Sequence, residues 1–297
     1  MTRSSRRRRR LATEFPVEPG SQAVFRGGCF RPLSDKACER IIECAFDILD
    51  RIGIAGAPAW LIEQLCRKGA RQRADGRLTF SRQLVEQALH HASHKVSLPG
   101  FEQNLGLEIG AGNVHIGTGG AAVQVLDANS GAYRDSTLSD LYNMMRTLDH
   151  CEHVHYGVRP LVARDMPTPL DLDINTAYTC LRATAKPIGI SFDNAAHVEP
   201  VTKLFDLALG RDDGFRQQPF CFGVIVHVVP PLKFATEGVD IMRAAIAAGM
   251  PLQICSAGQA GATSPASLAG ALAQGLAESL AGMMVVDAIK PGHPCIY

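Results

Sequence analysis

From about residue 153 onward, short apolar runs rich in β-branched residues alternate with stretches of helical periodicity. The apolar runs recur roughly every 31 to 33 residues and read HVHYGVRPL (153–161), KPIGISFD (186–193), PFCFGVIVHVV (219–229), MPLQICSA (250–257) and MMVVDAIK (283–290). A strand–helix unit repeated in series predicts a parallel sheet, and many such units predict a (β/α)₈ barrel. The count falls short of eight, so the pattern predicts an α/β protein with a TIM-type barrel that is incomplete at its carboxyl end.

The stretches between these runs predict helices. Their expected ranges are 138–149, 170–185, 197–209, 233–248 and 265–282. Thr137 followed by Asp140 forms a capping box for the first of them. Ser264 as N-cap and Pro265 at the first helical position predict the start of the last one.

The part of the chain before the repeat predicts a different organisation. Helical patterns run from Ser34 to Gly53, from Pro58 to Gly69 and from Ser81 onward, each with a capping or stop signal. We therefore divide the chain into a disordered Arg-rich arm (1–22), an N-terminal helical region (23–110) and the partial barrel (111–297).

Composition and charge narrow the function classes. An apolar content of 46% with 20% charged residues is ordinary for a soluble globular protein. Six of the first ten residues are arginine, and without them 24 basic groups face 29 acidic ones. A basic run alone more often marks a solvated arm than a nucleic-acid site, and no basic patch with interleaved aromatics follows it. We therefore expect no nucleic-acid partner.

Hydropathy and cysteine usage point to an intracellular protein. No run approaches 18 uninterrupted apolar residues, so the sequence predicts no membrane span. The nine cysteines form no CxxC pair, and several lie inside apolar patterns. They are typical of buried free thiols in a reducing cytoplasm.

In a (β/α)₈ barrel the chemistry lies at the carboxyl ends of the strands and on the loops that follow. This rule selects Arg159, Asp193 and His227, each at or just beyond the end of an apolar run. Each also has a structural alternative. Arg159 would pair with Asp165 or Asp171, Asp193 would cap the next helix, and a histidine in an apolar strand is most often a core residue.

Two further candidates lie in the Gly-rich loop after QICSAG. Gln259 and Thr263 precede a predicted helix, whose free N–H groups and positive dipole end favour a polar or anionic ligand. Lys290 is a candidate Schiff-base lysine if it is desolvated, although an exposed lysine is the ordinary alternative.

Two other motifs carry less weight. The series His150, Cys151, His153 and His155 is dense in metal-ligand types but lacks a distant ligand at recognisable spacing, so we expect no metal site. The glycines of GTGG (117–120) match neither dinucleotide nor P-loop spacing, and a plain turn is the better interpretation.

Several segments together resemble the trimethylamine–corrinoid methyltransferase family, which also includes glycine betaine methyltransferases. The matching segments are FRPLSDKACERIIECAFDILDRIGI, VQVLDANSGAYRDSTLSDL, HVVPPLKF, AGQAGATSPASLAGALAQGLAESLAGM and IKPGHPCIY. The resemblance covers about residues 23 to 297. Family members continue well beyond this length, and the trimethylamine enzymes carry a pyrrolysine in that further part.

The resemblance implies a TIM-barrel enzyme that works with a separate corrinoid protein. Its Co(I) corrinoid takes a methyl group from a tertiary or quaternary amine such as trimethylamine or glycine betaine, and the barrel itself binds no cofactor directly. When the nitrogen is quaternary the amine leaves neutral, so the site acts mainly by positioning the substrate.

On this interpretation Tyr156 and Asp193 lie near the ammonium, because aromatic faces and carboxylates attract cations. Arg159, His227, Gln259 and Thr263 supply polar contacts, and an arginine suits a betaine's carboxylate. We assign no catalytic residue. We also expect a cytoplasmic homo-oligomer.

Two other functions remain open from the sequence. The first is an inactive barrel fragment that acts as an interaction or oligomerising module, since an open barrel exposes a strand edge. The second is an unrelated barrel lyase that uses Lys186 or Lys290.

Overall fold

The computed structural model describes residues 25–28, 30–110 and 112–297, so the Arg-rich segment 1–22 lies outside the described residues. A parallel five-stranded sheet forms the centre of the repeat region. Before it, the described residues form eight short strands: β1 (Phe25–Arg26), β2 (Arg71–Gln72), β3 (Leu78–Thr79), β4 (Lys95–Leu98), β5 (Leu107–Gly110), β6 (Asn113–Val114), β7 (Gln124–Leu126) and β8 (Tyr133–Asp135). The sheet itself contains β9 (Gly157–Val158), β10 (Ile188–Ile190), β11 (Cys221–Val226), β14 (Leu252–Cys255) and β15 (Cys295–Ile296). Strands β12 (Val228–Val229) and β13 (Lys233–Phe234) form a small hairpin after β11.

The five strands of the sheet follow one another in chain order, β9-β10-β11-β14-β15, and each pair of neighbours is parallel. The segment 116–122 continues this order beyond β9. Gly117 and Ala122 form parallel bridges to Tyr156 and Leu161, and His155 N donates to the carbonyl of Ile116 at 2.7 Å. The GTGG motif therefore lies along the edge of the sheet, in a position that corresponds to a preceding strand.

Nine α-helices in the described residues connect and cover these strands. They are α1 (Asp35–Asp47), α2 (Ala59–Lys68), α3 (Arg82–His91), α4 (Leu138–Asp149), α5 (Pro169–Ala183), α6 (Val198–Leu209), α7 (Gly214–Gln217), α8 (Thr236–Ala248) and α9 (Leu268–Ile289). A π-helical turn, Ile48–Ile52, extends α1 as far as the predicted stop at Gly53. The predicted capping box of Thr137 and Asp140 is present at the start of α4.

Four of the five predicted strands are confirmed, with shorter bounds, but the fifth prediction is wrong. Residues 283–290 continue α9, and the next strand is instead β15. The run MMVV is buried in the middle of a helix that is apolar on nearly all sides. A continuous apolar run does not distinguish a buried helix from a buried strand, and no Gly or Pro between 283 and 289 marks an end.

The start of α9 also differs from the prediction. The N-cap is Ser267, whose side chain accepts a hydrogen bond from Gly270 N at 3.2 Å, whereas the prediction placed it at Ser264. Ser264 belongs instead to the preceding loop, where its N–H donates to the carbonyl of Gln259. Both serines precede helix-forming residues, so local propensity alone favours neither.

Helix α9 connects the N-terminal helices to the sheet. Helices α1, α2 and α3 all pack against it, and their apolar residues share one core cluster with the sheet and the other helices. The division into an N-terminal helical region and a partial barrel at residue 110 stays a prediction.

Helix α9 is, among the described helices, the one long and apolar enough to cross a membrane by length and composition. It lies inside the protein, however, and most of it is buried. Gln274, Glu278 and Asp287 on this helix are buried and hydrogen-bonded to other elements. These contacts identify α9 as a core helix.

Three of the cysteines lie in the layer between sheet and helices. Cys180 on α5, Cys221 on β11 and Cys295 on β15 are buried, and burial raises the pKa of each thiol. The pKa values of Cys180 and Cys295 rise to about 12. The eight described cysteines are all free thiols.

Candidate functional site

Five of the six predicted site residues lie at the carboxyl ends of the parallel strands or on the loops that follow. Arg159 directly follows β9, and Asp193 is on the loop after β10. His227 directly follows β11. Gln259 and Thr263 lie on the loop between β14 and α9. We call this edge of the sheet the carboxyl rim.

The structure groups these residues around two buried carboxylates that sequence reasoning did not identify. The first is Asp173 on α5, which is 2% exposed. Its Oδ2 accepts hydrogen bonds from the backbone N–H of Asp193 at 2.9 Å and from Nδ1 of His197 at 2.7 Å. Asp173 therefore anchors the loop after β10, and the cap of the following turn is Asn194 rather than Asp193.

Arg159 belongs to the same group. Its guanidinium is partly buried, and its charge opposes the rise in the pKa of Asp173. Burial is the main cause of that rise, and it lowers the pKa of Arg159 in turn. The Nε atom of Arg159 is buried and has no hydrogen-bond partner among the described residues.

The structural alternatives for Arg159 do not form. Asp165 accepts a hydrogen bond from Leu138 N at 3.0 Å, and Asp171 contacts Thr168 at the start of α5. None of the described ion pairs includes Arg159, and the charge of Asp173 acts on its guanidinium only from beyond ion-pair distance. Such a group is available to an anionic ligand.

The second buried carboxylate is Glu278 on α9, which is 0% exposed. Its Oε1 accepts hydrogen bonds from Leu232 N at 2.9 Å and from Nε2 of Gln274 at 3.0 Å. Its Oε2 accepts one from the hydroxyl of Ser256, just beyond β14. One side chain thus contacts the loops that follow β11 and β14.

Gln274 extends this network to the predicted residues of the Gly-rich loop. Its Nε2 donates to the carbonyl of Thr263 at 2.9 Å. The hydroxyl of Thr263 accepts from Gln259 N at 2.9 Å, which closes the loop on itself. Gln259 is exposed, so its side chain is free to meet a ligand.

His227 lies behind the same network and is completely buried. Its Nε2 is 2.7 Å from the backbone carbonyl of Glu278, and Nδ1 has no partner among the described residues. Burial lowers the pKa of His227, which favours the neutral ring. A Cβ on Gly282 would lie 2.5 Å from His227 Nε2, so this glycine lets the ring reach α9. This geometry is that of a buried core histidine, which was the structural alternative to a role in binding.

Tyr156 is the predicted residue that the structure does not bring to the carboxyl rim. It precedes β9 and therefore lies at the amino ends of the strands. Its ring meets that of Phe222 edge to face, with centroids 5.9 Å apart. It also lines a cavity of about 280 Å³ between the sheet and the β4–β5 hairpin.

The carboxylates and Gln274 were missed because they lie on helices. Sequence reasoning searched the loops after strands, where barrel chemistry occurs. Glu278 and Gln274 do carry a signal, since each is a polar residue in a helix of Ala, Gly and Leu. Which loop such a side chain reaches depends on the tertiary packing.

The other sequence candidates have structural contacts. The ammonium of Lys186 donates to the carbonyls of Leu148, Cys151 and Val154 at 2.8 to 3.0 Å, at and beyond the end of α4. His155 Nδ1 accepts from Ile116 N at 2.9 Å. In the part of the chain that the structure describes, no three His, Cys, Asp or Glu side chains are grouped to hold a metal ion.

Comparison with known proteins adds a consistent set of similarities. The model of the family described as trimethylamine methyltransferase (MTTB) matches residues 1–297. A glycine betaine methyltransferase of Desulfitobacterium hafniense strain Y51 is 27% identical over an alignment of 271 residues that covers 89% of this chain and 55% of that protein. The trimethylamine methyltransferase MttB of Desulfitobacterium hafniense strain DSM 10664 / DCB-2 is 23% identical over 265 residues, 89% of this chain and 53% of that protein.

A third relative comes from another organism. The trimethylamine methyltransferase MttB1 of Methanosarcina mazei is 26% identical over 217 residues, 72% of this chain and 44% of that protein. The chain spans about half the length of the curated relatives it matches.

Proposed function

Because the chain belongs to the trimethylamine methyltransferase family, we propose that it transfers a methyl group from a tertiary or quaternary methylamine to a corrinoid. The observation that carries this proposal is the family match over the whole chain, together with relatives named for trimethylamine and for glycine betaine. We propose further that the corrinoid is held by a separate protein in the cytoplasm, where its Co(I) form accepts the methyl group.

The strand order supports a barrel arrangement for this activity. Five parallel strands in chain order, with segment 116–122 beside the first, are what an arc of a (β/α)₈ barrel contains. A doubly wound sheet would instead reverse its order at a switch point. In a barrel the carboxyl rim is the mouth, where substrate binds and where the corrinoid protein would approach.

The residues at the rim suit a substrate that carries both charges. The exposed carboxylate of Asp193 would attract the ammonium, and the guanidinium of Arg159 would bind the carboxylate of a betaine. Gln259 and Thr263 would add polar contacts. A quaternary amine leaves without needing a proton, so holding the methyl group in line is the main task of these residues.

The direct test is methyl transfer by the purified chain. Reduced cobalamin is mixed with glycine betaine or trimethylamine, and the methylated corrinoid is followed by its absorbance while the demethylated amine is measured by mass spectrometry. We expect transfer from at least one of the two amines. Absence of both products with both amines would contradict the proposal and leave a non-catalytic role.

The substrate class is tested by Arg159→Gln. Losing a charge-assisted contact of roughly 1.5–3 kcal/mol should raise KM for glycine betaine by about tenfold or more. The same change should leave KM for trimethylamine, which has no carboxylate, nearly unaffected. Arg164→Gln is the matched control, because Arg164 is exposed and pairs with Asp135. Equal effects of Arg159→Gln on both amines would exclude Arg159 as the carboxylate contact.

A further inference from the structure

The side chain of Glu278 contacts both loops in the part of the carboxyl rim formed by β11 and β14. It accepts three hydrogen bonds, from Leu232 N, Ser256 Oγ and Gln274 Nε2. Two of these donors belong to loops and the third, Gln274, itself holds the carbonyl of Thr263. A fully buried carboxylate on a helix therefore links loop 230–234 to loop 256–263.

The donor at Leu232 is unusual in its backbone conformation. Leu232 has φ of 53°, in the left-handed region that a branched side chain adopts at a cost of about 1–2 kcal/mol. The backbone N–H of this strained residue is the one that Glu278 accepts at 2.9 Å. The carboxylate thus holds the loop after β12 in a conformation that it would not favour alone.

We propose that Glu278 is a positioning residue that holds both loops so that Gln259 and Thr263 meet the substrate in a fixed orientation. This inference rests on the proposed methyltransferase function. Glu278 touches no described residue that we expect at the methyl group, so its effect on the reaction passes through Gln274 and the loops.

The effect of the Glu278 side chain on the loops can be tested separately from the position of α9 beside β11. His227 Nε2 contacts the backbone carbonyl of Glu278, and Gly282 admits the ring to the helix. Neither contact uses the Glu278 side chain, so we expect both to remain when that side chain is changed. A substitution there therefore removes the loop contacts while leaving those that fix the helix beside β11.

Three variants make the test. Glu278→Ala removes all three hydrogen bonds. Glu278→Gln keeps an oxygen for Leu232 and Gln274, and its amide can donate to Ser256. Ser279→Ala is the matched control on the same helix, because Ser279 Oγ bonds only within α9, to Gly275 at 3.0 Å. Hydrogen exchange of the full chain is measured for 229–234 and 256–264, and KM and kcat are measured with glycine betaine and cobalamin.

We expect Glu278→Ala to speed exchange in both loops by at least about tenfold and to raise KM more than it lowers kcat. Glu278→Gln should restore most of both properties, and Ser279→Ala should match the unaltered protein. Unchanged exchange in either loop would overturn the proposal. Faster exchange with unchanged KM would also overturn it, because it would show a purely structural role.

If Glu278→Ala does not fold, Ser256→Ala replaces it, since this change removes a single contact. It should speed exchange in 256–264 and raise KM, and no change in either would count against the proposal. An unaltered chain that transfers no methyl group would overturn the proposed function and the substrate part of this inference. The exchange measurements would then still decide whether Glu278 holds the loops.

Discussion

At the scale of single residues, Gly117 and Tyr156 show why a glycine is needed where segment 116–122 pairs with the edge of the sheet. A Cβ at Gly117 would lie 2.2 Å from Cε2 and Cζ of Tyr156, far inside contact distance. Thr118 next to it exchanges hydrogen bonds with Val158, with its Oγ1 donating to the carbonyl at 2.6 Å and accepting from the N–H at 2.9 Å. The glycine at position 117 therefore lets the backbone of segment 116–122 lie close to β9 and to Tyr156, which precedes it.

Gly117→Ala should destabilise the protein by about 1–3 kcal/mol, because either the ring or the segment must move away. The free energy of unfolding in urea measures this loss. Gly119→Ala is the control, since nothing lies within 4 Å of its added Cβ. A cost for Gly119→Ala as large as that for Gly117→Ala would show that the tyrosine contact is not the cause.

At the scale of elements, α9 shows what the sequence pattern can and cannot predict. The pattern predicted the helix but ended it at 282, while the structure carries it to Ile289. Periodicity placed four strands correctly because Gly, Pro and polar residues interrupt the chain around them. It failed where an apolar run passes through without such an interruption.

The same limit applies to the candidate site. Arg159, Asp193 and Gln259 were found because the carboxyl ends of parallel strands meet at one edge. Asp173 and Glu278 could not be found in that way, because their helices reach the rim only after packing on the sheet. Tyr156 was selected because an aromatic face attracts an ammonium, although the residue lies before β9 rather than after it.

Ser267→Ala should destabilise the protein by about 1 kcal/mol, because it removes the side-chain acceptor for Gly270 N at the start of α9. The shift of the midpoint in thermal unfolding measures it. Ser264→Ala should cost clearly less, since the hydroxyl of Ser264 caps no helix. A larger loss of stability for Ser264→Ala than for Ser267→Ala would instead support Ser264 as the N-cap, as the sequence predicted.

At the scale of the whole molecule, three histidines are buried in different places and resist protonation. Burial lowers the pKa of His155 beside segment 116–122, of His227 behind the rim and of His293 near β15. In the unfolded chain a histidine has a pKa of about 6.5. As the pH falls below that value the unfolded state binds protons that the folded state does not, so the folded state loses stability.

Between pH 7.5 and pH 5.5 the free energy of unfolding should therefore fall, by at most about 1.4 kcal/mol for each of these histidines, which is the limit set by protonation of the unfolded state. Urea titrations at the two pH values measure the difference. His293→Gln should reduce it, since Gln keeps a donor for the carbonyl of Met250, which lies 2.9 Å from His293 Nε2, but does not titrate. An unchanged difference in His293→Gln would show that His293 does not contribute to the pH dependence.

The buried thiols between sheet and helices have a practical consequence for following how the molecule opens. Cys180, Cys221 and Cys295 lie in the sealed layer with raised pKa values, whereas Cys38, Cys44, Cys66 and Cys151 are exposed. The thiolate attacks the alkylating reagent, so the exposed cysteines react first and the buried ones react only when the helices separate from the strands. The order in which these cysteines are alkylated, followed by mass spectrometry, therefore reports how fast the layer between sheet and helices opens, and no cysteine has to be introduced.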